Sequence, residues 1–149
     1  MRQALARALP LIAFFLTAAP AAMAAEELPM SIPGGTYVTE AKAKELFDKG
    51  TLFVDARVAA EYADEHVKGA INVVYKETHP KESKTAPSDS FDLSKLPADK
   101  AKPMVFYCNG SPCWKGYKAA AAAIKAGYKH VYWMREGMPG WKAKGYPAE

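Results

Sequence analysis

The two cysteines of the chain lie in one short segment, "VFYCNGSPCWKGYKAA", which covers residues 105–120. Two thiols at this spacing can form a structural disulfide, contribute half of a metal site, or provide a nucleophile with a neighbouring thiol. A metal site needs three or four ligands, and the three histidines, His66, His79 and His130, form no close motif with the cysteines. We therefore expect thiol chemistry, with no metal and no other cofactor.

Cys108 ends a continuous apolar run, "PMVFYC", which predicts a buried β-strand. The following segment, "CWKGYKAAAAAIKAG", has apolar residues at helical spacing, and "HVYWM" predicts another strand. The two strands of such a β-α-β unit must be parallel. Because ligand sites in open parallel sheets lie beyond the carboxyl ends of the strands, Cys108 stands where a site is expected.

The loop after this cysteine has a composition suited to binding an anion. Asn109 and Gly110 accept unusual backbone angles, and Ser111 and Pro112 suit the entrance to a helix. A loop of this kind can curl so that several backbone N–H groups point at one centre. If the helix begins near Cys113, its N-terminus adds about half a positive charge there.

This environment predicts a permanently ionised Cys108. Only the thiolate attacks, and a free thiol with a pKa of about 8.5 is only a few per cent ionised at neutral pH. Lowering that pKa by about two units corresponds to roughly 2.7 kcal/mol in favour of the anion. Lys115 and Lys118 follow on the predicted helix and are expected to add positive charge.

Further elements must position this unit. Thr39 can cap a helix that ends at Gly50, and "TLFVDAR" predicts a buried strand ending near Asp55. A helical turn around "AAEYADEH" leads to a predicted strand, "GAINVVY". Residues 76–102, here called the excursion, are polar, contain three prolines and predict a long surface segment with one helical turn at "DLSKL". This alternation predicts an α/β fold with a small parallel sheet flanked by helices on both faces.

The first 24 residues predict a secretory signal peptide. Arg2 and Arg7 precede the apolar stretch "LPLIAFFLTAAPA", and "AMA" provides a cleavage site after Ala24. The apolar run is broken by two prolines and is shorter than the roughly 20 residues that a membrane span needs. We expect a periplasmic or secreted protein, in a compartment where disulfides form and persist.

The rest of the chain is expected to form an irregular arm, residues 25–36, and one domain, residues 37–149. The chain carries 20 Lys and Arg against 16 Asp and Glu, and two of the arginines lie in the predicted leader. The remainder has a net charge of about +2, which predicts no nucleic-acid partner and no membrane partner after cleavage.

Four pieces of the sequence together resemble the rhodanese-like sulfurtransferases, and the likeness covers most of the chain after the leader. Their order and spacing match the first signature, the active-site strand, the closing strand and turn, and the tail of that family. The pieces are "VDARVAAEYADEHVKGAINV", "VFYC" with its loop and helix, "AGYKHVYWMREGMPGW" and "WKAKGYP".

The resemblance implies a rhodanese-like fold and a sulfurtransferase whose catalytic residue is Cys108. The thiolate would take a sulfane sulfur from a donor such as thiosulfate, become a persulfide, and pass the sulfur to a thiophilic acceptor such as cyanide or a thiol. A periplasmic protein partner is a further expectation. The substrate-binding loop would consist of Asn109, Gly110, Ser111, Pro112, Cys113, Trp114 and Lys115.

Asp55 and Arg57 follow the first core strand, near the same edge of the sheet. We expect them to support the site. Asp55 would brace loops by hydrogen bonding, and Arg57 would either pair with an acidic neighbour or face the pocket.

The loop departs from the commonest pattern of the family, which is a cysteine, four residues and then Arg or Ser. "CNGSPCWKG" is about two residues longer and contains no arginine. Trp114 stands where the related phosphatases and arsenate reductases have their arginine, and Lys115 lacks the planar fork that grips a dianion at two points. The "CNGxxCW" loop resembles a subset of exported, single-domain rhodanese-like proteins of bacteria.

The role of Cys113 leaves several alternatives open. It can resolve a persulfide or a sulfenate on Cys108 into a disulfide, lock the protein in an inactive oxidised form, or pack under the helix. A disulfide needs Cα atoms within about 7 Å. Two rival functions follow: a thiol redox protein that cycles a Cys108–Cys113 disulfide, and a non-catalytic rhodanese-like binding module.

Overall fold

Segments with strand and helix periodicity alternate along the chain in the computed structural model, which describes residues 24–149. Apart from Ala24, the predicted signal peptide lies outside the described residues. None of the helices within residues 24–149 is long and apolar enough to cross a membrane. The elements are β1 Thr36–Val38, α1 Glu40–Asp48, β2 Leu52–Asp55, α2 Ala59–Asp64, β3 Ile71–Asn72, a single 3₁₀ turn Leu93–Lys95, β4 Met104–Tyr107, α3 Lys115–Lys125, β5 Val131–Met134 and α4 Gly137–Ala143.

The five strands form one parallel sheet in the order β1-β5-β4-β2-β3. β4 is the central strand, and its last residue, Tyr107, pairs with Asp55 at the end of β2. Because all five strands run the same way, their carboxyl ends meet at one edge of the sheet. The α/β class and the small parallel sheet are confirmed, and Cys108 and Asp55 lie at the same edge.

Two hydrophobic layers cover the sheet, and β4 contributes to both because successive side chains point to opposite faces. Met104 and Phe106 pack with α3, whereas Val105 and Tyr107 pack with α1 and α4. All four side chains are buried, which explains why the strand appears in the sequence as an unbroken apolar run. The predicted helices therefore lie on both faces.

The start of α1 follows the sequence expectation. The hydroxyl of Thr39 accepts a hydrogen bond from the backbone N–H of Lys42 at 3.2 Å, so Thr39 is the N-cap. Ala43 and Leu46 form the buried side of the helix. The cap fixes where the helix begins, and the apolar spacing fixes which of its sides is buried.

Two predicted segments differ in extent. "GAINVVY" forms a strand only over Ile71–Asn72. Beyond it, the backbone N–H groups of Val73 and Tyr75 donate to the carbonyls of Asp55 and Ala56. The arm contains no helix or strand over residues 25–35, although its last residue, Thr36, begins β1. Leu28 and Ile32 are buried in the layer beneath α3. The arm therefore contributes to the core.

The excursion is fastened at several points. An antiparallel bridge joins Lys76 to Ser90, and the carboxylate of Asp89 accepts hydrogen bonds from the Tyr75 hydroxyl and the backbone N–H of Thr78. Burial, together with the nearby charge of Asp89, raises the pKa of Tyr75 to about 12. Leu96 is buried in the layer beneath α3. The bridge and the Asp89 hydrogen bonds close the excursion on itself, and Leu96 anchors it to the core.

Candidate active site

Cys108 directly follows β4 and is 3% exposed. Its Sγ is joined to that of Cys113 in a disulfide, with the two Cα atoms 6.4 Å apart. This separation lies within the usual range for disulfides. The loop thus brings both thiols of the described chain into contact.

The connection between the two cysteines is a tight turn. Gly110 has φ of +70°, and the backbone N–H of Cys113 donates to the Gly110 carbonyl at 2.6 Å. The Ser111–Pro112 peptide is cis. α3 begins at Lys115, slightly later than the expected start near Cys113. The loop, which is longer than the commonest loop of the family, turns back on itself at Gly110–Cys113 and brings the two sulfurs together.

Glycines allow the backbone around Cys108 to pack closely. An ideal Cβ at Gly137, which has φ of +59°, would overlap the Cys108 carbonyl oxygen and lie 2.6 Å from the Gly110 nitrogen. A Cβ at Gly116 would lie 2.9 Å from the Tyr107 carbonyl carbon. This contact between the start of α4 and the loop allows the Met138 N–H to donate to the Cys108 carbonyl at 2.8 Å. The peptide of Cys108 is thus fixed from both sides.

Asp55 and Arg57 form a buried ion pair beside the loop. Asp55 is fully buried and Arg57 is 5% exposed. The Asp55 carboxylate accepts hydrogen bonds from Nε, Nη2 and the backbone N–H of Arg57 at 2.6–3.1 Å. Burial acts to lower the pKa of Arg57, but the hydrogen bonds and charge of Asp55 more than offset it, so the pKa is raised. The guanidinium therefore stays charged.

Arg57 also connects the ion pair to the loop. Its Nη1 lies 3.5 Å from Oδ1 of Asn109, whose Nδ2 donates to Glu61 at 2.5 Å. Arg57 and Asn109 line a cavity of about 620 Å³ between α2 and α4. The structure thus places Arg57 in both positions that the sequence left open, against an acidic neighbour and at the edge of a pocket. The other lining residues are Glu61, Asp64, Glu65, Met138, Pro139, Lys142 and Ala143.

A second cavity, of about 270 Å³, lies on the Cys113 side of the loop. Cys113 and Pro112 form one wall, and Glu77, Pro80 and Lys81 of the excursion form the other. Cys113 is half-buried, whereas Cys108 is almost completely covered. Solvent therefore reaches the sulfur pair mainly through Cys113.

The electrostatic surroundings of Cys108 differ from those expected. Its Sγ lies 3.1 Å from the carbonyl oxygen of Cys113, and among residues 24–149 no backbone N–H donates to this sulfur in the disulfide-bonded form. Lys118 does not add charge at the sulfur, because its buried ammonium pairs with Glu77 at 2.8 Å and donates to the His79 carbonyl at 2.9 Å. Glu77 and His79 of the excursion therefore hold the Lys118 ammonium.

Glu77→Gln is expected to lower the free energy of unfolding by about 2 kcal/mol, because the Lys118 ammonium is 1% exposed and would lose its ionic partner. Urea unfolding would measure the change. Glu45→Gln is the matched control, since its pair with Lys42 is exposed and should contribute under about 1 kcal/mol. Equal losses in the two variants would contradict the anchoring role of Glu77.

Trp114 lies at the other end of the loop, buried in the layer beneath α3. Its indole N–H donates to the Glu26 carbonyl at 3.2 Å, and its ring packs edge-on against Tyr117. The tryptophan thus ties the loop to the arm. Within the described part of the chain, no cluster of three or more His, Cys, Asp or Glu side chains is arranged to hold a metal ion.

Several residues that shape the site were absent from the sequence prediction. Glu61, Glu77 and Gly137 act through partners distant in sequence, namely Asn109, Lys118 and the Cys108 peptide. Glu61 and Gly137 fall inside segments that resemble the family, but the sequence of those segments does not reveal the contacts. Glu77 lies in the excursion, where no periodicity marks it.

A family model for the rhodanese-like domain matches residues 39–144. Three solved structures share the fold. The Alr3790 protein from Anabaena sp. is 22% identical with a TM-score of 0.57, covering 75% of this chain and 81% of that one. The BH2092 protein from Bacillus halodurans is 23% identical with a TM-score of 0.56, covering 76% and 75%. A rhodanese-related protein from Thermoplasma volcanium is 19% identical with a TM-score of 0.54, covering 76% and 96%.

A curated relative, the tRNA uridine(34) hydroxylase of Hamiltonella defensa, is 33% identical over 111 residues. The alignment covers 70% of this chain but only 27% of that protein. The similarity therefore concerns one part of a considerably longer protein.

Proposed function

The chain belongs to the rhodanese-like domain family, and from this premise we propose that it is a sulfurtransferase carrying sulfane sulfur as a persulfide on Cys108. The observation that carries the proposal is the position of this cysteine. Cys108 follows the central strand, and its peptide is fixed by the start of α4. A nucleophile held this way is oriented before the substrate arrives.

The chemistry begins from the reduced pair. The Cys108 thiolate attacks the outer sulfur of a donor such as thiosulfate, forming a sulfur–sulfur bond as sulfite leaves with the bonding electrons. An acceptor such as cyanide or a thiol then attacks the outer sulfur of the persulfide, and the Cys108 thiolate is released. Asn109, which directly follows Cys108, lines both cavities, so a donor bound in either one lies beside the loop.

The proposal extends to location. A signal peptide at residues 1–24 would deliver the protein to the periplasm or to the outside of the cell. The Cys108–Cys113 disulfide fits an oxidising compartment. Small sulfur compounds, and a periplasmic protein as acceptor, are the partners proposed for such a location.

The test is a single turnover followed by intact mass spectrometry. The protein is reduced, freed of reductant without air and mixed with thiosulfate. We expect one equivalent of sulfite from the wild type and from Cys113→Ser, and a gain of one sulfur atom on Cys113→Ser that cyanide removes. Cys108→Ser should release sulfite at least about 10³-fold more slowly, because the nucleophile is absent.

The serine variants also separate the alternatives. Sulfite release that survives in Cys108→Ser would contradict the role of Cys108. A thiol redox protein is the second candidate, and the Cys108–Cys113 disulfide is the observation that favours it. A redox function would require both cysteines and would proceed without uptake of sulfur. A binding module would bind its partner without either thiol.

We propose no hydroxylation of tRNA, the activity in the name of the curated relative, for this chain. The chain spans only 27% of that protein. The net charge of about +2 outside the predicted leader provides no strong attraction for nucleic acid.

A further inference from the structure

We propose that Cys113 resolves the persulfide on Cys108 and releases its outer sulfur as hydrogen sulfide. The protein would then be a reductase of sulfane sulfur as well as a carrier. This inference rests on the proposed function, since it needs the persulfide. The acceptor for the sulfur is in this case a residue of the same chain.

The fold already holds the two sulfurs in contact. Their Cα atoms are 6.4 Å apart and the disulfide is formed with Cys108 in place after β4. The Gly110–Cys113 hydrogen bond closes the turn between the cysteines. No separate docking step is needed for Cys113 to reach the inner sulfur of a persulfide, and intramolecular attack from such a position is strongly favoured over attack by a free thiol.

The step balances without an external oxidant. The Cys113 thiolate attacks Sγ of Cys108, forming the Cys108–Cys113 bond, and the bond to the outer sulfur breaks with both electrons leaving on that sulfur. The outer sulfur takes one proton and departs as HS⁻. The two cysteine sulfurs together lose two electrons, and the sulfane sulfur gains two. The product is the disulfide observed in the structure.

Regeneration requires a dithiol reductant, and the structure indicates which sulfur it attacks. Cys113 lines the cavity of about 270 Å³, together with Lys81, whereas Cys108 is 3% exposed. One thiolate of the reductant attacks Sγ of Cys113 and the Cys108 thiolate leaves. The second thiol of the reductant then displaces Cys113, and the reductant departs oxidised. Both cysteines are then reduced, and the next turnover can begin.

The experiment is one turnover with thiosulfate and without reductant, since a free dithiol would itself release sulfide. Reduced, desalted wild type should release one equivalent of sulfide after the sulfite, lose two titratable thiols and finish two hydrogens below the mass of the dithiol. Cys113→Ser should also release one equivalent of sulfite, at a rate that the change in the loop can alter, but keep the added sulfur. Its persulfide should last at least about tenfold longer than that of the wild type.

Cys113→Ala is a second variant, chosen because alanine has neither the thiol of cysteine nor the hydroxyl of serine. Thermal unfolding would show that both variants are folded. A stable persulfide on the wild type, or sulfide release equally fast from the Cys113 variants, would overturn the resolving role. The wild-type sulfide yield answers the question even if a variant fails to fold.

The outcomes separate this inference from the function on which it depends. If neither the wild type nor the Cys113 variants release sulfite, sulfur transfer from thiosulfate itself fails. If sulfite appears in all of them but sulfide in none, Cys108 carries the sulfur and Cys113 does not resolve it.

Discussion

Gly137→Ala is expected to lower the free energy of unfolding by about 4 kcal/mol or more and to abolish persulfide formation. Gly137 adopts φ of +59°, and an added Cβ would overlap the Cys108 carbonyl oxygen. Relieving that overlap must move the start of α4 away from the peptide of Cys108. The hydrogen bond from the Met138 N–H to that peptide would be lost as well. Urea unfolding and the sulfite burst measure the two effects.

Gly145→Ala is the matched control, because Gly145 has a similar φ of +67° but no atoms within 4 Å of an ideal Cβ. It should cost only about 1–2 kcal/mol, the strain of placing alanine in the left-handed region. Its sulfite burst should be unchanged. If the two alanine variants lose the same stability, the close approach of α4 to Cys108 is not what requires glycine.

Asp55→Ala is expected to lower the free energy of unfolding by about 3–5 kcal/mol, since it leaves the Arg57 guanidinium buried without its counter-charge. Arg57 would also lose the hydrogen bonds that fix its orientation toward Asn109. We therefore expect slower persulfide formation as well as lower stability. Urea unfolding and the rate of sulfite release at subsaturating thiosulfate check these two effects.

Asp48→Ala removes the same side chain from an exposed ion pair with Lys44 and should change stability by under about 1 kcal/mol. The double variant Asp55→Ala with Arg57→Met provides a second comparison. Its loss in free energy of unfolding should be smaller than the sum of the losses in the two single variants, because neither buried charge is left without its partner. Strict additivity would show that the two residues act independently.

The central strands could be predicted because both of their faces are buried. The runs ending at Asp55 and Tyr107 and the run in "HVYWM" are apolar without interruption, so their assignment needed no tertiary information. β1 was not predicted. It has three residues at the edge of the described sheet, and it pairs with β5, far away in the sequence. No local pattern marks a strand that depends on such a distant partner.

The site shows the same division between local and distant information. Cys108 could be located from the end of its strand, and the contact with Cys113 was among the alternatives that the loop allows. Lys118 was placed near the sulfur by its sequence position, but the side chain turns to Glu77. Only the path of the excursion decides this, and the polar sequence of the excursion does not encode a recognisable pattern.

The position of Cys108 at the end of the middle strand has a consequence for the dynamics of the molecule. β4 is hydrogen-bonded to a strand on each side, and such strands exchange their amide hydrogens only when most of the domain opens. The reactive sulfur is therefore attached to a part of the chain that should open, and exchange its amide hydrogens, most slowly. Fluctuations that open loops and sheet edges at warm temperatures should leave Cys108 covered, so access to the sulfur pair should stay on the Cys113 side.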